Sequence, residues 1–309
     1  MIWSNIDINN IEDGVYYDMP IEVYHGNRTH LSASSIKECF KSLAHFKSYL
    51  ETPKIRKNHL DFGNAFELSL TDFYEYEEKV SVFDPKERPV KDKDFRVKKN
   101  KEWKENFYSE NKSKLIIPRS GSDSEDILLI LKNSFYKHET AKTLVTNANY
   151  QTTIFWTCKN TGLKLKTRPD FWKKSLETGV PIITDLKTDK DTTADKHIKS
   201  ICNNNYPIQA IMQLDGLWQS GLIDSISVAR YFWVFCCKNP PYNTEVYEFD
   251  SSDVESFLDA YRFKLEEIKR AYDKELFLSY DPFKDNGIRT VSFPFYYKNN
   301  MGIHDKIDS

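Results

Sequence analysis

Residues 166–188 read KTRPDFWKKSLETGVPIITDLKT, and this stretch decides what the rest of the chain can be. It predicts two β-strands, the first of which is ended or interrupted at Arg168-Pro169-Asp170. Because alternate side chains of a strand share a face, Asp185 and Lys187 point the same way. If the two strands are adjacent and antiparallel, Asp170 can lie beside Asp185. The stretch therefore predicts two carboxylates and a lysine at one place on a β-sheet.

These three residue types together are suited to phosphodiester hydrolysis. Two carboxylates a few ångströms apart repel each other unless a cation lies between them, and oxygen ligands suit Mg²⁺ or Mn²⁺. A lysine beside that cation can orient or deprotonate the attacking water and support charge on the phosphate. The alternative is an ordinary Asp–Lys cross-strand pair on the surface. It stays open because a chain with 44 Lys and Arg and 46 Asp and Glu contains such triplets by chance.

Outward from this stretch, the hydrophobic pattern alternates between strand-like and helix-like segments. The predicted strands are 151–158, 163–172, 180–186, 225–237 and 245–249, and we expect the first three to be neighbours in one sheet. The predicted helices are 36–50, 59–73, a segment from 127 towards 144, 206–220 and 253–276. We expect one α/β domain over 1–309, made of an extended lead-in (1–30), a helical elaboration (31–145) with a basic segment (86–104), a core (150–250), and a C-terminal helix and tail (251–309).

Composition and charge exclude several classes of protein. Aromatic residues form 14% of the 309, which is hard to reconcile with disorder. The mean hydropathy is −0.62 and no apolar run approaches the length of a membrane span, so we expect a soluble, cytoplasmic protein without membrane partners. The net charge of −2 excludes a binder held mainly by a basic surface, yet it allows a nuclease with a basic channel and an acidic centre.

Other common chemistries lack their motifs. The five cysteines form no CxxC pair, which argues against a disulfide framework, a cysteine-ligated zinc site or an iron–sulfur cluster. The seven histidines include no HExxH, so a zinc hydrolase is not expected. There is also no GxxxxGK[ST] loop, so the chain encodes no ATP-driven motor.

Asp170 and Asp185-x-Lys187 resemble the PDDEXK nuclease superfamily signature, and further motifs along nearly the whole chain resemble one branch of it. The matching motifs, in chain order, are Leu31-Ser32-Ala33-Ser34-Ser35-Ile36, Ala44-His45-Phe46, Phe62-Gly63-Asn64-Ala65-Phe66-Glu67-Leu68, Lys166-Thr167-Arg168-Pro169-Asp170-Phe171, Asp185-Leu186-Lys187-Thr188, Tyr206 with Gln209, and Pro240-Pro241-Tyr242. The branch they resemble is the RecE-type (exonuclease VIII-like) phage and prophage exonucleases. The resemblance implies a restriction-endonuclease-like core with a mixed central β-sheet flanked by helices.

The resemblance implies a role for each matching residue of the site. Asp170 and Asp185 would be metal ligands together with the Leu186 carbonyl, Lys187 would be the catalytic lysine, and Gln209 would complete the motif. The chain departs from the branch at Glu67, where a histidine is usual. A carboxylate there can take a hard cation directly or through water, so Glu67 is a candidate third ligand; the alternative is a partly solvated helix residue.

Several further residues are candidates for DNA contact, each with a plainer alternative. The hydroxyls of Ser32, Ser34 and Ser35 either contact phosphate or cap the following helix. Arg168 either holds a phosphate or pairs with a neighbouring acid. The basic segment 86–104, with Trp103, either tracks DNA or forms a solvated face. The remaining candidates are Thr188 and Tyr206.

The sequence thus predicts an exodeoxyribonuclease that needs Mg²⁺, with Mn²⁺ as a possible substitute, and does not need ATP. The resemblance implies digestion of linear duplex DNA from its ends, 5′→3′, leaving 3′ single strands for a RecT-like annealing protein. It also implies a ring-like homo-oligomer and a phage or prophage origin in a bacterial cell. The alternatives are a PDDEXK endonuclease and a catalytically inactive DNA-binding protein with this fold.

Overall fold

The computed structural model describes residues 6–52, 58–71, 73–279 and 291–302. Its strands are β1 (Gly14–Tyr16), β2 (Val80–Phe83), β3 (Leu115–Pro118), β4 (Asn149–Tyr150), β5 (Thr153–Thr157), β6 (Lys164–Thr167), β7 (Phe171–Lys174), β8 (Pro181–Asp189), β9 (Arg230–Cys237) and β10 (Thr244–Glu248). Its helices are α1 (Ile21–Gly26), α2 (Ala33–Cys39), α3 (Leu43–Glu51), α4 (Asn58–Thr71), α5 (Phe73–Lys79), α6 (Lys98–Glu110), α7 (Glu125–Lys137), α8 (Glu139–Val145), α9 (Ala194–Asn203), α10 (Tyr206–Gln219), α11 (Ser251–Asp273) and α12 (Phe295–Asn300).

The central sheet has five strands in the order β10-β9-β8-β7-β4. The pair β8–β9 is parallel and the other pairs are antiparallel, so the sheet is mixed. A parallel neighbour requires a crossover, and helices α9 and α10 provide it between β8 and β9. The predicted fold class, an α/β domain with a mixed central β-sheet flanked by helices, is confirmed.

Strand β9 shows how the sheet is buried on both faces. Tyr231, Trp233 and Phe235 belong to the apolar core that includes residues of α2, α10 and α11. Phe232 and Val234, which alternate with them, belong to the core that includes residues of α4, α7 and α8. A strand covered on both faces reads as a continuous hydrophobic run, which is why β9 has no polar–apolar alternation.

The prediction that three neighbouring strands at 151–158, 163–172 and 180–186 lie in one sheet is wrong. The segment 163–172 is two strands, because Pro169 has no N–H to donate to a ladder and the chain changes sheets there. Strand β6 pairs with β5 in a separate three-stranded sheet, in the order β1-β5-β6, whereas β7 joins the central sheet. Leu31 also forms an isolated parallel β-bridge with Leu165 of β6.

Other predicted segments differ in their boundaries. The helical run 36–50 is two helices, because the Ser42 side chain accepts a hydrogen bond from the His45 N–H (3.2 Å) and begins α3. The run from 127 towards 144 is likewise split, with His138 capping α8. The lead-in 1–30 contains β1 and α1 in its described part. The helical elaboration 31–145 also contains a parallel strand pair, β2 with β3.

The late strands and the C-terminal helix follow the prediction more closely. Strand β9 begins at Arg230 rather than 225, and β10 and α11 lie within two or three residues of the predicted segments. Within the described ranges, the structure contains no helix both long and apolar enough to span a membrane. The single-domain organisation over 1–309 stays a prediction.

Candidate active site

A short hairpin brings the two aspartates of the opening stretch together. Strands β7 and β8 pair antiparallel with Phe171 opposite Thr184, so Asp170 comes next to Asp185 along the ladder. The turn closes with the Gly179 N–H donating to the Ser175 carbonyl (2.8 Å), and Gly179 has a φ of 70°, where glycine is favoured. The predicted proximity of the aspartates therefore follows from local pairing.

Asp185 is the most enclosed of the acidic groups, with 1% of its side chain exposed. Its carboxylate forms an ion pair with Lys187 two residues away on the same face of β8. Its Oδ1 accepts a hydrogen bond from Nε2 of Gln209 on α10 (2.7 Å). Asp185, Lys187 and Gln209 are thus joined, as the sequence predicts for their positions.

Lys187 is held between its aspartates and an aromatic ring. Its Nζ lies 4.5 Å from the ring centroid of Tyr206, at the start of α10. Burial by itself lowers the pKa of Lys187, but the charges of Asp185 and Asp170 outweigh burial and raise it. The ammonium therefore stays protonated at neutral pH.

Asp170 has a different partner. Its Oδ2 accepts a hydrogen bond from the Leu186 N–H (2.7 Å), so it is tied to the backbone between Asp185 and Lys187. Burial, and then the charges of Glu67 and Asp185, raise the pKa of Asp170 well above its ordinary value. These like charges lie close enough to disfavour one another, which is the electrostatic setting that suits a divalent cation.

Glu67 reaches the same region from α4. Its Oε1 accepts a hydrogen bond from Nε2 of Gln151 (2.9 Å). Burial raises the pKa of Glu67, and the hydrogen bond from Gln151 and the charge of Arg168 offset only part of this. Thr188 also lies near α4. A Cβ added to Gly63 of that helix would lie 3.9 Å from Thr188 Oγ1, which is an ordinary contact distance.

Each of the three carboxylates is turned towards its own protein donor or cation. Accordingly, in the described part of the chain, no three His, Cys, Asp or Glu side chains converge closely enough to form a ligand set by themselves. Mg²⁺ needs fewer protein ligands than that, because it keeps several waters and is bound through one or two carboxylates and substrate phosphates. The residues that could hold it are Asp170, Asp185, the Leu186 carbonyl and Glu67.

Gln151 was not found by sequence analysis, and it connects Glu67 to Arg168. Arg168 donates from Nη2 to Gln151 Oε1 (2.6 Å) and from Nη1 to the Met19 carbonyl (2.8 Å) and to Thr153 Oγ1 (2.9 Å). The Gln151 amide therefore hydrogen-bonds both Arg168 and Glu67 and couples the positions of these two side chains. The acceptors of Arg168 are neutral groups rather than a neighbouring acid, and phosphate contact by Arg168 stays a prediction. Nothing in the sequence marks Gln151. It lies between β4 and β5, and its own backbone is in the left-handed conformation (φ 48°).

Lys37 was also missed by sequence analysis. It lies on α2, and its Nζ donates to Gln209 Oε1 (3.0 Å) on the side of that amide opposite Asp185. Its only sequence signal is its position three residues after Ser34, within the predicted helix. A cleft of about 230 Å³ opens beside the carboxylates, and its lining includes Glu67, Gln151 and Asp170.

The serines predicted to contact DNA differ in their availability. The buried Ser35 hydroxyl accepts from the Ser32 N–H (3.0 Å) and donates to the Ser32 carbonyl (2.7 Å), which favours the capping alternative. Ser34 is exposed and Ser32 is half-buried. DNA contact by Ser32, Ser34, Thr188 and Tyr206 stays a prediction.

The basic segment 86–104 is more structural than its charge suggests. Trp103 packs on Phe83 (ring centroids 5.3 Å apart) and stacks on Phe95 (6.4 Å), so its ring is not presented for stacking on bases. Arg88 donates to three carbonyls of its own loop. The lysines of α6 are exposed, which both alternatives allow, so DNA tracking by this segment stays a prediction.

Comparison with known proteins finds a likeness in structure and none in sequence. No family model matches the chain, and no curated protein matches it. A solved structure from Eubacterium rectale, described as a "putative exonuclease", matches with a TM-score of 0.54 at 14% identity, covering 92% of this chain and 98% of that one. The two chains share a fold. A second solved structure, described only as SSO0001, covers 66% of this chain and 84% of its own at 14% identity, with a TM-score of 0.25.

Proposed function

We propose that this protein is a metal-dependent exodeoxyribonuclease that degrades linear double-stranded DNA from its ends without ATP. One observation carries the proposal: the Asp185 carboxylate pairs with Lys187 and accepts from Gln209, while Asp170 comes next to it across the β7–β8 ladder. Acid, acid and lysine on one hairpin, completed by a helix amide, form the arrangement that phosphodiester hydrolysis needs. The fold shared with the E. rectale protein supports it over nearly the whole chain.

The residues of the site have separate roles in the proposed reaction. Asp170, Asp185 and the Leu186 carbonyl would hold Mg²⁺ or Mn²⁺, with Glu67 joining directly or through water. The bound cation supplies charge stabilisation for the phosphate and a lower pKa for water. Lys187 Nζ orients the attacking water against the phosphorus, and Gln209 holds Asp185 in place. The cleft beside Glu67 and Asp170 gives the substrate an approach to these groups.

The finer features of the proposal are supported by the sequence motifs alone. They are 5′→3′ polarity, a 3′ single-stranded product passed to a RecT-like annealing protein, a ring-like homo-oligomer around DNA, and a phage or prophage origin in the bacterial cytoplasm. Differential end labelling of the same duplex tests the polarity. Sedimentation of the purified protein tests the oligomer.

The first experiment compares linear and closed circular duplex DNA, incubated with Mg²⁺, with Mn²⁺ or with EDTA. We expect loss of the linear form only, in either metal, and no loss in EDTA. Lys187→Ala should abolish the activity, because no other ammonium pairs with Asp185 among the described residues. The matched control is Lys174→Ala, which removes an exposed lysine from the same hairpin and should leave the rate unchanged.

Two outcomes would replace the proposal with an alternative. Cutting of closed circles would identify an endonuclease, because a circle offers no end. A folded protein that binds DNA but cuts neither form in either metal would be a binding module with a nuclease fold.

A further inference from the structure

Two lysines from different elements meet at one tyrosine ring beside Asp185. Lys187 on β8 lies 4.5 Å from the Tyr206 centroid, and Lys37 on α2 lies 4.9 Å from the same centroid. The approach of Lys37 is fixed because α2 packs against α10, which carries Tyr206 and Gln209. The site therefore holds a second ammonium group that the metal and lysine chemistry described above does not use.

The partners of the two lysines differ in charge. Lys187 has Asp185 as its counter-ion. Lys37 contacts the neutral amide oxygen of Gln209 and the face of Tyr206, and no carboxylate lies within ion-pair distance of it in the described chain. A half-buried ammonium with neutral partners, beside another ammonium, is electrostatically costly. Burial, and then the charge of Lys187, lower the pKa of Lys37 to about 7, and the charge of Asp185 offsets only part of this.

The donors of Lys37 are also incompletely used. An ammonium group has three N–H donors, and one of them is directed at Gln209, which leaves about two for a further acceptor. An anion that lies against both lysines would relieve their repulsion and accept these donors. In a nuclease, the anion that reaches this point is the phosphodiester backbone of the DNA itself.

We propose that Lys37 binds a non-bridging phosphate oxygen of the DNA strand at the scissile phosphate or the one next to it. The inference rests on the proposed function and assigns a substrate-contacting residue to the same site. In this arrangement Lys187 and Lys37 hold the phosphate from two sides, and Tyr206 sets the spacing between their ammonium groups. Gln209 then links the phosphate-binding lysine to Asp185.

A purely structural role for Lys37 makes a different prediction. Lysine only donates hydrogen bonds, so its presence forces Gln209 Oε1 towards Lys37 and Nε2 towards Asp185. If that were its whole role, loss of Lys37 would lower kcat through a misplaced Gln209. It would leave the affinity for DNA and the salt dependence of binding as they are.

The test measures binding of a 20-base-pair linear duplex in Ca²⁺, with gels to verify that it stays intact, over about 50 to 200 mM salt. Lys37→Gln should weaken binding about threefold to tenfold and reduce the slope of log K against log[salt] by about 1, as expected for one lost phosphate contact. Lys37→Arg should restore the slope. In Mg²⁺, the KM of Lys37→Gln should rise by more than its kcat falls.

Lys41→Gln is the matched control, because Lys41 lies just after the same helix, 57% exposed and paired with Glu38. It should bind and cleave as the unaltered protein does. Circular dichroism and thermal melting establish that each variant is folded. Lys37→Met, which keeps the apolar stem, gives a second neutral variant if Lys37→Gln does not fold.

The outcomes separate this inference from the proposed function. Unaltered binding and salt slope in a folded Lys37→Gln, with or without a fall in kcat, would overturn phosphate contact by Lys37 while leaving the nuclease intact. An equal loss of affinity and of salt slope in Lys41→Gln would show a general charge effect and would also overturn it. Failure of the unaltered protein to bind DNA at all would overturn both.

Discussion

Helix α10 contributes to two buried polar clusters, which differ in the partners of their aspartates. At its N-terminal end, Gln209 meets Asp185, which pairs with Lys187. In its middle, Asp215 is also buried, at 4% exposure, but it accepts from neutral donors: the Tyr261 hydroxyl (3.3 Å) and Gln219 Nε2 (3.4 Å). Burial of a carboxylate is therefore common to both clusters.

What separates the two clusters is the number of charges that converge. Around Asp185 lie two further carboxylates and two ammonium groups beside a cleft. Asp215 has no second carboxylate among the causes of its raised pKa, and its hydrogen-bond donors and the charge of Arg262 offset part of the effect of burial. Gln213, two residues earlier on α10, accepts from the buried Tyr231 hydroxyl (2.8 Å) as a separate neutral pair. A single buried carboxylate with hydroxyl and amide donors ties α10 to α11, whereas several charges beside a cleft are suited to chemistry. The Asp215 cluster therefore serves as an internal control for the Asp185 cluster.

The largest contrast is expected between the two aspartates. Asp185→Asn should lower kcat by about 10³-fold, since it removes the charge that holds Lys187 and a cation. Asp215→Asn keeps the acceptor for Tyr261 and should leave kcat within about threefold. Single-turnover cleavage of an end-labelled duplex in Mg²⁺ measures both. Equal losses would erase the distinction between the clusters.

The glutamines should divide in the same way. Gln209→Ala should lower kcat about 10- to 100-fold, because it removes the group that orients Asp185. Gln213→Ala should leave cleavage intact but destabilise the protein by about 1–3 kcal/mol, because the Tyr231 hydroxyl loses its acceptor in the core. Urea unfolding and cleavage rates are measured on both variants. A stability loss in Gln209→Ala as large as that in Gln213→Ala would contradict this assignment.

Gln151→Ala should sharpen the comparison at the metal end of the site. Without its amide, Glu67 loses its hydrogen bond and its link to Arg168, so the Mg²⁺ concentration for half-maximal activity should rise about tenfold. Gln219→Ala is the control, since Gln219 also donates to a carboxylate but in the Asp215 cluster. An unchanged Mg²⁺ requirement in Gln151→Ala would exclude Glu67 from the metal site.

The smallest effect concerns stability. In EDTA, Asp170→Asn should stabilise the fold by about 1 kcal/mol, because it removes a charge that Glu67 and Asp185 disfavour and keeps an acceptor for the Leu186 N–H. This gain in stability should exceed that of Asp215→Asn. Burial raises the pKa of Asp215, and no neighbouring carboxylate is among the causes. Thermal melting without metal compares them. The reverse order would show that the three carboxylates do not repel one another.

Local features of the chain explain which parts of the site were predictable. The positions of Asp170, Asp185 and Lys187 depend on strand alternation and on one short hairpin, both of which can be read from the residues. The strand break at Pro169 was visible too, but its consequence, a change of sheet, was not. That change occurs because β6 pairs with β5, which in turn pairs with β1, in a sheet separate from the central one.

The sequence by itself determined the late strands, helices α10 and α11 and the acid–acid–lysine hairpin, because helical and strand periodicity and a tight turn act over a few residues. Only the tertiary structure decided the contacts of Gln151 and Lys37, since their partners lie 84 and 172 residues away along the chain. It also decided which neutral groups accept from Arg168 and which hydroxyl and amide donate to Asp215. Such choices depend on how buried charges are shared among elements that meet only after folding, and no local pattern encodes that sharing.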